Sequence, residues 1–151
     1  QKDHEPFFNY GLKLNHKHLP EIIYHNKLEL TPIFIPSVGD FIQGMIVSIP
    51  LHFSWFSDKV DTEKIQYLME EFYSGANFIK VLKKDEGISD KGYFRPDNLV
   101  GTNYLDISVF GNDDNDQLII CARLDNLGKG ASGAAIQSMN IALGFDETLG
   151  L

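Results

Sequence analysis

The sequence predicts an α+β domain with a mixed or antiparallel sheet and helices on one face. Three observations predict it. Strand-like runs of β-branched and aromatic residues recur at 44–53, 78–82, 104–110 and 117–124. Helical signals are confined to segments near 20–28, 62–73 and 129–143, in no strict β-α-β alternation. With 151 residues, 43% of them hydrophobic, the chain fits one domain, 1–151, with a core of its own.

In chain order, Phe8, Tyr10, Leu12 and Leu14 alternate with Asn9, Gly11 and Lys13, so residues 6–14 are expected to be extended. His16 and His18 continue that alternation. Pro20 suits a first helical turn and opens a helix to about Leu28. Pro32 and Pro36 then break the chain, and Gly39-Asp40 turns it. Met45, Val47 and Ile49 oppose Ile46 and Ser48 in a strand expected to be buried on much of both faces. Pro50 within it marks an edge or a bulge.

Asp61 is a good N-cap for a helix whose Ile65, Leu68, Met69 and Phe72 share one face. Gly75 ends it. After the strand at 78–82 comes a polar loop, 83–98, expected to be mobile. The strands 104–110 and 117–124 form a hairpin through Gly111–Asp116, whose acidic tip lacks calcium-loop spacing and is expected to be solvated. Lys80, Lys83 and Lys84 could bind phosphate, but a charged strand end is the ordinary reading. Trp55, with Phe53 and Phe56, is expected in a core or an interface.

Asp125-Asn126-Leu127-Gly128-Lys129-Gly130-Ala131-Ser132-Gly133 then places three glycines, a lysine and a serine at the entry to a helix. The glycines permit positive φ and close approach of other groups. Unpaired N–H groups at such a helix start suit an anionic or amide-bearing ligand. Ala131, Ala134, Ala135 and Ala142 leave a flat face that fits a large neighbour, such as a second domain. Gly128-x-Gly130-x-x-Gly133 also matches a dinucleotide pattern, but without the strand–turn–helix unit and ribose-binding acid that give the pattern meaning.

The net charge of −8 argues against a nucleic-acid or anionic-membrane surface. No apolar run approaches the roughly 20 residues needed to span a bilayer, and no signal peptide is recognisable. The first residues, Gln1-Lys2-Asp3, lack a methionine, which suggests a piece of something longer. The single cysteine, Cys121, lies between Ile120 and Ala122 and reads as a buried, inert thiol, compatible with a reducing cytoplasm.

His16-Lys17-His18-Leu19-Pro20-Glu21 is the sharpest chemical signal. On an extended segment the two imidazoles point to the same side, and Pro20 puts Glu21 in the first helical turn nearby. A carboxylate beside an imidazole fixes the tautomer of a general base and stabilises its protonated form. The same groups could ligate zinc with a further ligand, or could be solvated histidines before a helix.

Three motifs together carry a resemblance. They are His16-Lys17-His18-Leu19-Pro20-Glu21-Ile22, Val100-Gly101-Thr102-Asn103-Tyr104-Leu105-Asp106-Ile107, and the stretch from Asp125 to Leu151. In this order the chain resembles the C-terminal, substrate-binding and dimerisation half of the N-acetyl-gamma-glutamyl-phosphate reductase family. The resemblance implies a glyceraldehyde-3-phosphate-dehydrogenase-like C-terminal domain. It also implies part of an NADP-dependent reductase that converts N-acetyl-gamma-glutamyl phosphate to N-acetylglutamate semialdehyde in arginine biosynthesis. In that family a cysteine attacks the acyl phosphate, phosphate leaves, and the thioester is reduced.

By resemblance, His18 is the general acid/base and Glu21 orients it. His16, Asn103 and Gln43 belong to the substrate pocket, and Lys129, Gly130 and Ala131 face the cofactor. No metal is implied. The expected assembly is a cytoplasmic homodimer or homotetramer. The family's Pro-Gly-Cys-Tyr-Pro nucleophile segment and its Rossmann domain have no counterpart here, so the fragment alone is expected to be inactive. Pro36-Ser37-Val38 and Gln43-Gly44 stand where many members carry Pro-His-Leu and Arg-Gly. The analogous lysine-pathway reductase and a non-catalytic dimerisation module of the same fold are the alternatives.

Overall fold

The computed structural model describes residues 5–151. The chain divides into two compact units that part between Ile42 and Gln43, where length alone suggests one.

In the first unit, β1 (Phe7–Asn9) pairs antiparallel with β2 (Ser37–Gly39), and α1 (Leu19–Asn26) lies between them in sequence. The expected extended run over 6–14 is shorter. Gly11 (φ +64°) and Leu14 (φ +55°) turn the chain out of β geometry, and the Leu14 N–H closes onto the Gly11 carbonyl at 3.0 Å. Helix α1 begins one residue before Pro20, with His18 as a helical N-cap that makes no side-chain capping bond. It ends at Lys27 in the left-handed region, whose N–H bonds the Ile23 carbonyl.

The second unit is built on a four-stranded mixed sheet in the order β3-β6-β5-β4. Here β3 is Met45–Leu51, β4 is Ile79–Val81, β5 is Leu105–Asn112 and β6 is Gln117–Leu124. The β3–β6 and β5–β6 pairs are antiparallel and the β4–β5 pair is parallel. The hairpin β5–β6 and the strand at 44–53 form as their sequences predict, and Pro50 sits on an edge strand, where a missing N–H is tolerated.

Helix α2 (Thr62–Phe72) packs on β5 and β4, and its Ile65 joins Phe53, Val109 and Leu118 in the core, with Met69, Leu51, Val60 and Ile120 around them. Burying a side chain such as Ile65 stabilises by roughly 1.5–3 kcal/mol. Two expectations need correction here. Leu68 and Phe72 are exposed, because only the Ile65–Met69 stripe of α2 meets the sheet. Met45, Val47 and Ile49 are exposed as well, because β3 is the outer strand and α2 covers β5 and β4 instead.

The hairpin tip is exposed from Gly111 to Asn115, as its acidity suggests, and its carboxylates also brace neighbouring turns. Asp113 accepts from the Thr62 N–H at 2.9 Å and the Thr62 hydroxyl at 2.7 Å, adding a second carboxylate to the Asp61 cap of α2, which accepts from Lys64 N–H at 2.8 Å. Asp116 takes the Ser54 N–H and hydroxyl at 2.8 and 2.6 Å, fixing the short 3₁₀ turn Phe53–Trp55. These bonds hold both carboxyls below the usual aspartate range. Trp55, expected in a core or interface, is 67% exposed.

The 83–98 loop is likewise pinned. Arg123 forms a buried ion pair with Asp106 (2.7 Å) and donates to the Gly87 carbonyl at 2.9 Å, while the Phe94 ring lies 4.6 Å from its guanidinium. Lys80 pairs with Glu86, which also accepts from the Lys83 N–H. Cys121 is buried as expected, 3.6 Å from the Ser48 hydroxyl.

Candidate functional site

The side chains singled out in the sequence fall into two groupings, one in each unit. In the first unit a turn, rather than strand alternation, brings the histidines together: the Leu19 N–H bonds the His16 carbonyl at 3.0 Å. The His16 and His18 rings lie 4.8 Å apart, edge to face, and Phe34 and Tyr10 flank His16 at 5.0 and 5.8 Å. His16 Nδ1 accepts the His18 backbone N–H at 3.3 Å. The His18 side chain is exposed and makes no hydrogen bond of its own among the described residues.

Glu21 does lie in the first turn of α1, as expected. Its carboxylate, however, makes no ion pair within 4.0 Å of either imidazole among the described residues, so the acid–imidazole contact read from the spacing is not formed. The helical N-cap geometry of His18 replaces the extended geometry that the contact assumed.

In the second unit the glycine-rich corner forms where β6 ends. Gly128–Ser132 make a π turn that continues into α3 (Gly133–Leu143). None of Gly128, Gly130 and Gly133 adopts positive φ, contrary to the first reason given for them. Close approach is the operative reason: a Cβ on Gly133 would lie 2.2 Å from Asn103 Oδ1, and one on Gly128 3.1 Å from both Asp125 Oδ2 and the Thr102 carbonyl.

Asp125 organises this corner. Its side chain is 1% exposed, and Oδ1 accepts from the Leu127 and Gly128 N–H groups at 2.9 and 3.0 Å. Oδ2 accepts from the Gly101 N–H at 2.8 Å and the Gln43 amide at 2.6 Å. Beside it, Asn126 Oδ1 accepts the Gly44 N–H at 2.7 Å. Burial would raise the Asp125 pKa, but the three backbone donors and Gln43 outweigh it and bring the carboxyl to about 2. Two N–H groups at the entry to the corner, those of Leu127 and Gly128, are thus already taken by a carboxylate that the chain itself supplies. Sequence reasoning quoted Asp125 in a motif without assigning it this role.

The remaining corner residues fall around this carboxylate. Gln43 spends an amide N–H on Asp125, which removes that donor from any ligand. Asn103 is 8% exposed, and neither polar atom of its amide has a partner among the described residues. The Lys129 amine bonds Gln137 Oε1 and lies 5.5 Å from the Phe78 ring centroid. Burial lowers its pKa, and Glu147 partly opposes that. Gly130 and Ala131 are exposed, the Gly130 N–H bonding the Asp125 carbonyl at 2.8 Å. Ala135 and Ala142 are exposed as well.

Among the described residues, no group of three or more His, Cys, Asp or Glu side chains is placed to hold a metal ion, and no helix is long and apolar enough to cross a membrane.

The mixed sheet with its helices is an α+β architecture of the glyceraldehyde-3-phosphate-dehydrogenase-like C-terminal type. Residues 1–126 match the family model of the semialdehyde dehydrogenase dimerisation domain, and the chain belongs to that family. It is similar to N-acetyl-gamma-glutamyl-phosphate reductase 2 of Nostoc sp., 46% identical over 148 residues, covering 97% of this chain and 46% of the relative. It is also similar to the N-acetyl-gamma-glutamyl-phosphate reductase of Trichormus variabilis, 45% identical with the same coverage. The enzyme of that name from Brucella ovis is 43% identical over 137 residues, covering 91% of this chain and 44% of the relative. The chain therefore spans a little under half the length of these curated relatives.

Proposed function

We propose that these residues act together as the substrate-binding and dimerisation domain of an NADP-dependent reductase. Its reaction converts N-acetyl-gamma-glutamyl phosphate to N-acetylglutamate semialdehyde, a step of arginine biosynthesis, in a cytoplasmic homodimer or homotetramer. The observation that carries this reading is 46% identity across 97% of the chain to a reductase of that name. The meeting of Gln43-Gly44, Gly101 and Asp125-Asn126 at one buried carboxylate supports it, since two of the motifs that carry the resemblance converge there.

In this reading the nucleophilic cysteine and the cofactor domain lie on segments other than these residues. The thiolate attacks the acyl carbonyl, the carbon–oxygen bond to phosphate breaks, and phosphate leaves as a thioester forms. NADP, when bound in its reduced form, would supply a hydride to the thioester carbon, and cleavage of the carbon–sulfur bond would release the semialdehyde and return the thiolate. His18, exposed and without a hydrogen bond of its own, takes the thiol proton and later donates one to the carbonyl oxygen. Glu21 stands three residues on, within helical reach of that imidazole after a side-chain rotation. His16 lines the substrate side. Asn103 contributes its unpartnered amide once a ligand opens access to it. Lys129, Gly130 and Ala131 fit the cofactor side, offering a cation and an uncovered backbone at the corner.

The test is the reverse reaction of the full-length protein: N-acetylglutamate semialdehyde, NADP⁺ and inorganic phosphate are mixed and NADPH is followed. Phosphate-dependent NADPH formation is expected. A rate that ignores phosphate, or no NADPH at all, sinks the reading, and a preference for the substrate one methylene longer reassigns it to the lysine pathway.

A further inference from the structure

Behind the glycine corner runs a chain of hydrogen bonds of which the proposed reaction uses only Lys129. The Lys129 ammonium donates to Gln137 Oε1, and Gln137 Nε2 donates to Glu147 Oε1 at 2.5 Å. The second oxygen of Glu147 accepts from Asn77 Nδ2 at 2.7 Å. Glu147 sits on the turn after α3, and that turn is fastened rather than loose. Asn140, 2% exposed, donates to the carbonyls of Leu149 and Glu147 at 2.8 and 3.3 Å, and the Phe145 N–H bonds the Asn140 carbonyl at 2.9 Å.

We propose that this turn is a positioning device for Lys129: Glu147, acting through Gln137, fixes the ammonium beside the Gly128–Gly133 corner for a phosphate-bearing ligand. The proposal rests on the function proposed above. An ammonium has three N–H donors and Gln137 takes one, so two remain for phosphate oxygens. Gln137 suits the relay because one amide both accepts from a cation and donates to an anion, which fixes its orientation. No carboxylate lies within 4.0 Å of the Lys129 amine among the described residues, so no direct ion pair competes with an arriving phosphate. Glu147 is the charged neighbour that acts on it, and Phe78 and Gln137 are the other groups facing it. Burial works against the charge of Lys129 and Glu147 supports it, so the acid both places and preserves the cation.

The phosphate could belong to the nucleotide cofactor or to the acyl phosphate, and the experiment separates them. In full-length protein carrying ¹³C-labelled lysine, the Lys129 Cε resonance is followed against pH and against two probes, NADP⁺ and inorganic phosphate. One probe is expected to shift the wild-type resonance, NADP⁺ pointing to the cofactor and inorganic phosphate to the substrate. In Glu147→Gln and Gln137→Ala the titration midpoint is expected to fall, and the Kd of that probe to rise about fivefold, with thermal stability nearly unchanged in Glu147→Gln. A resonance that answers neither probe, a midpoint that stays put, or a Kd within twofold of wild type overturns the proposal. Because none of these readouts needs turnover, a protein that binds but fails to reduce the acyl phosphate refutes the proposed reaction while leaving the positioning role to be decided here.

Discussion

Asp125 shows how much a single carboxylate can organise, and its loss has a measurable cost. Asp125→Ala strands the N–H groups of Gly101, Leu127 and Gly128, and each buried donor left unsatisfied costs about 1–3 kcal/mol. Chemical denaturation is expected to show a drop of at least about 2 kcal/mol. The pH dependence follows from the depressed pKa. Asp125 binds its proton more weakly folded than unfolded, so its contribution is complete above the ordinary aspartate range and is lost as pH falls through about 2. In Asp125→Ala the fall in stability between pH 4 and pH 2 should be correspondingly shallower.

Gly133→Ala is the second test at this scale. The added methyl meets Asn103 Oδ1 at 2.2 Å, and a cost of about 1–3 kcal/mol is expected, partly recovered in the double variant with Asn103→Ala. The importance of the glycines was legible in the sequence, but the reason was not. Gly128 and Gly133 are crowded by Thr102 and Asn103, while Asp125 is held by Gln43, 82 residues before it, and Gly101, 24 residues before it, and no local pattern encodes such pairings.

At the level of elements, strand and helix positions were read well wherever periodicity is set by the chain's own core. The strand at 117–124 matches to the residue, and Asp61 caps α2 as its type and place suggest. What failed was exposure. Leu68 and Phe72 are exposed because only the Ile65–Met69 stripe of α2 enters the core, and Met45, Val47 and Ile49 line an outer strand. The ties of the 83–98 loop were not legible either, since its anchors, Arg123 and Phe110, lie on later strands. Removing one partner of the buried Arg123–Asp106 pair leaves an uncompensated charge and costs about 3–5 kcal/mol. Asp106→Asn should show that loss on denaturation. Limited trypsin digestion should also cut faster after Lys83, Lys84 and Lys91, because Arg123 then holds Gly87 less firmly. Unchanged cleavage would mean that Phe94 and Phe110 suffice to hold the loop.

At the scale of the whole molecule, the family was legible because three separate motifs occur in one order, which composition and periodicity could not have supplied. The site was legible only in part. The histidines come together, but through a turn, and Glu21 stands apart from them. In the full-length protein His18→Ala is expected to lower kcat by about 10²- to 10⁴-fold, the range for lost acid–base assistance, and steady-state kinetics would check it. Sedimentation of the same protein is expected to show a homodimer or homotetramer, in keeping with a dimerisation-domain family.

The π turn at Gly128–Ser132 carries one residue more than an α-helical turn needs, and that surplus works as a phase setting for all that follows. Deleting Ala131 would let the helix run as regular α while rotating every later side chain by about 100°. Gly133 would swing away from Asn103, and Gln137 would lose both the amine and the acid it links, yet circular dichroism would register almost the same helix. A one-residue deletion would thus detune the corner without unravelling it.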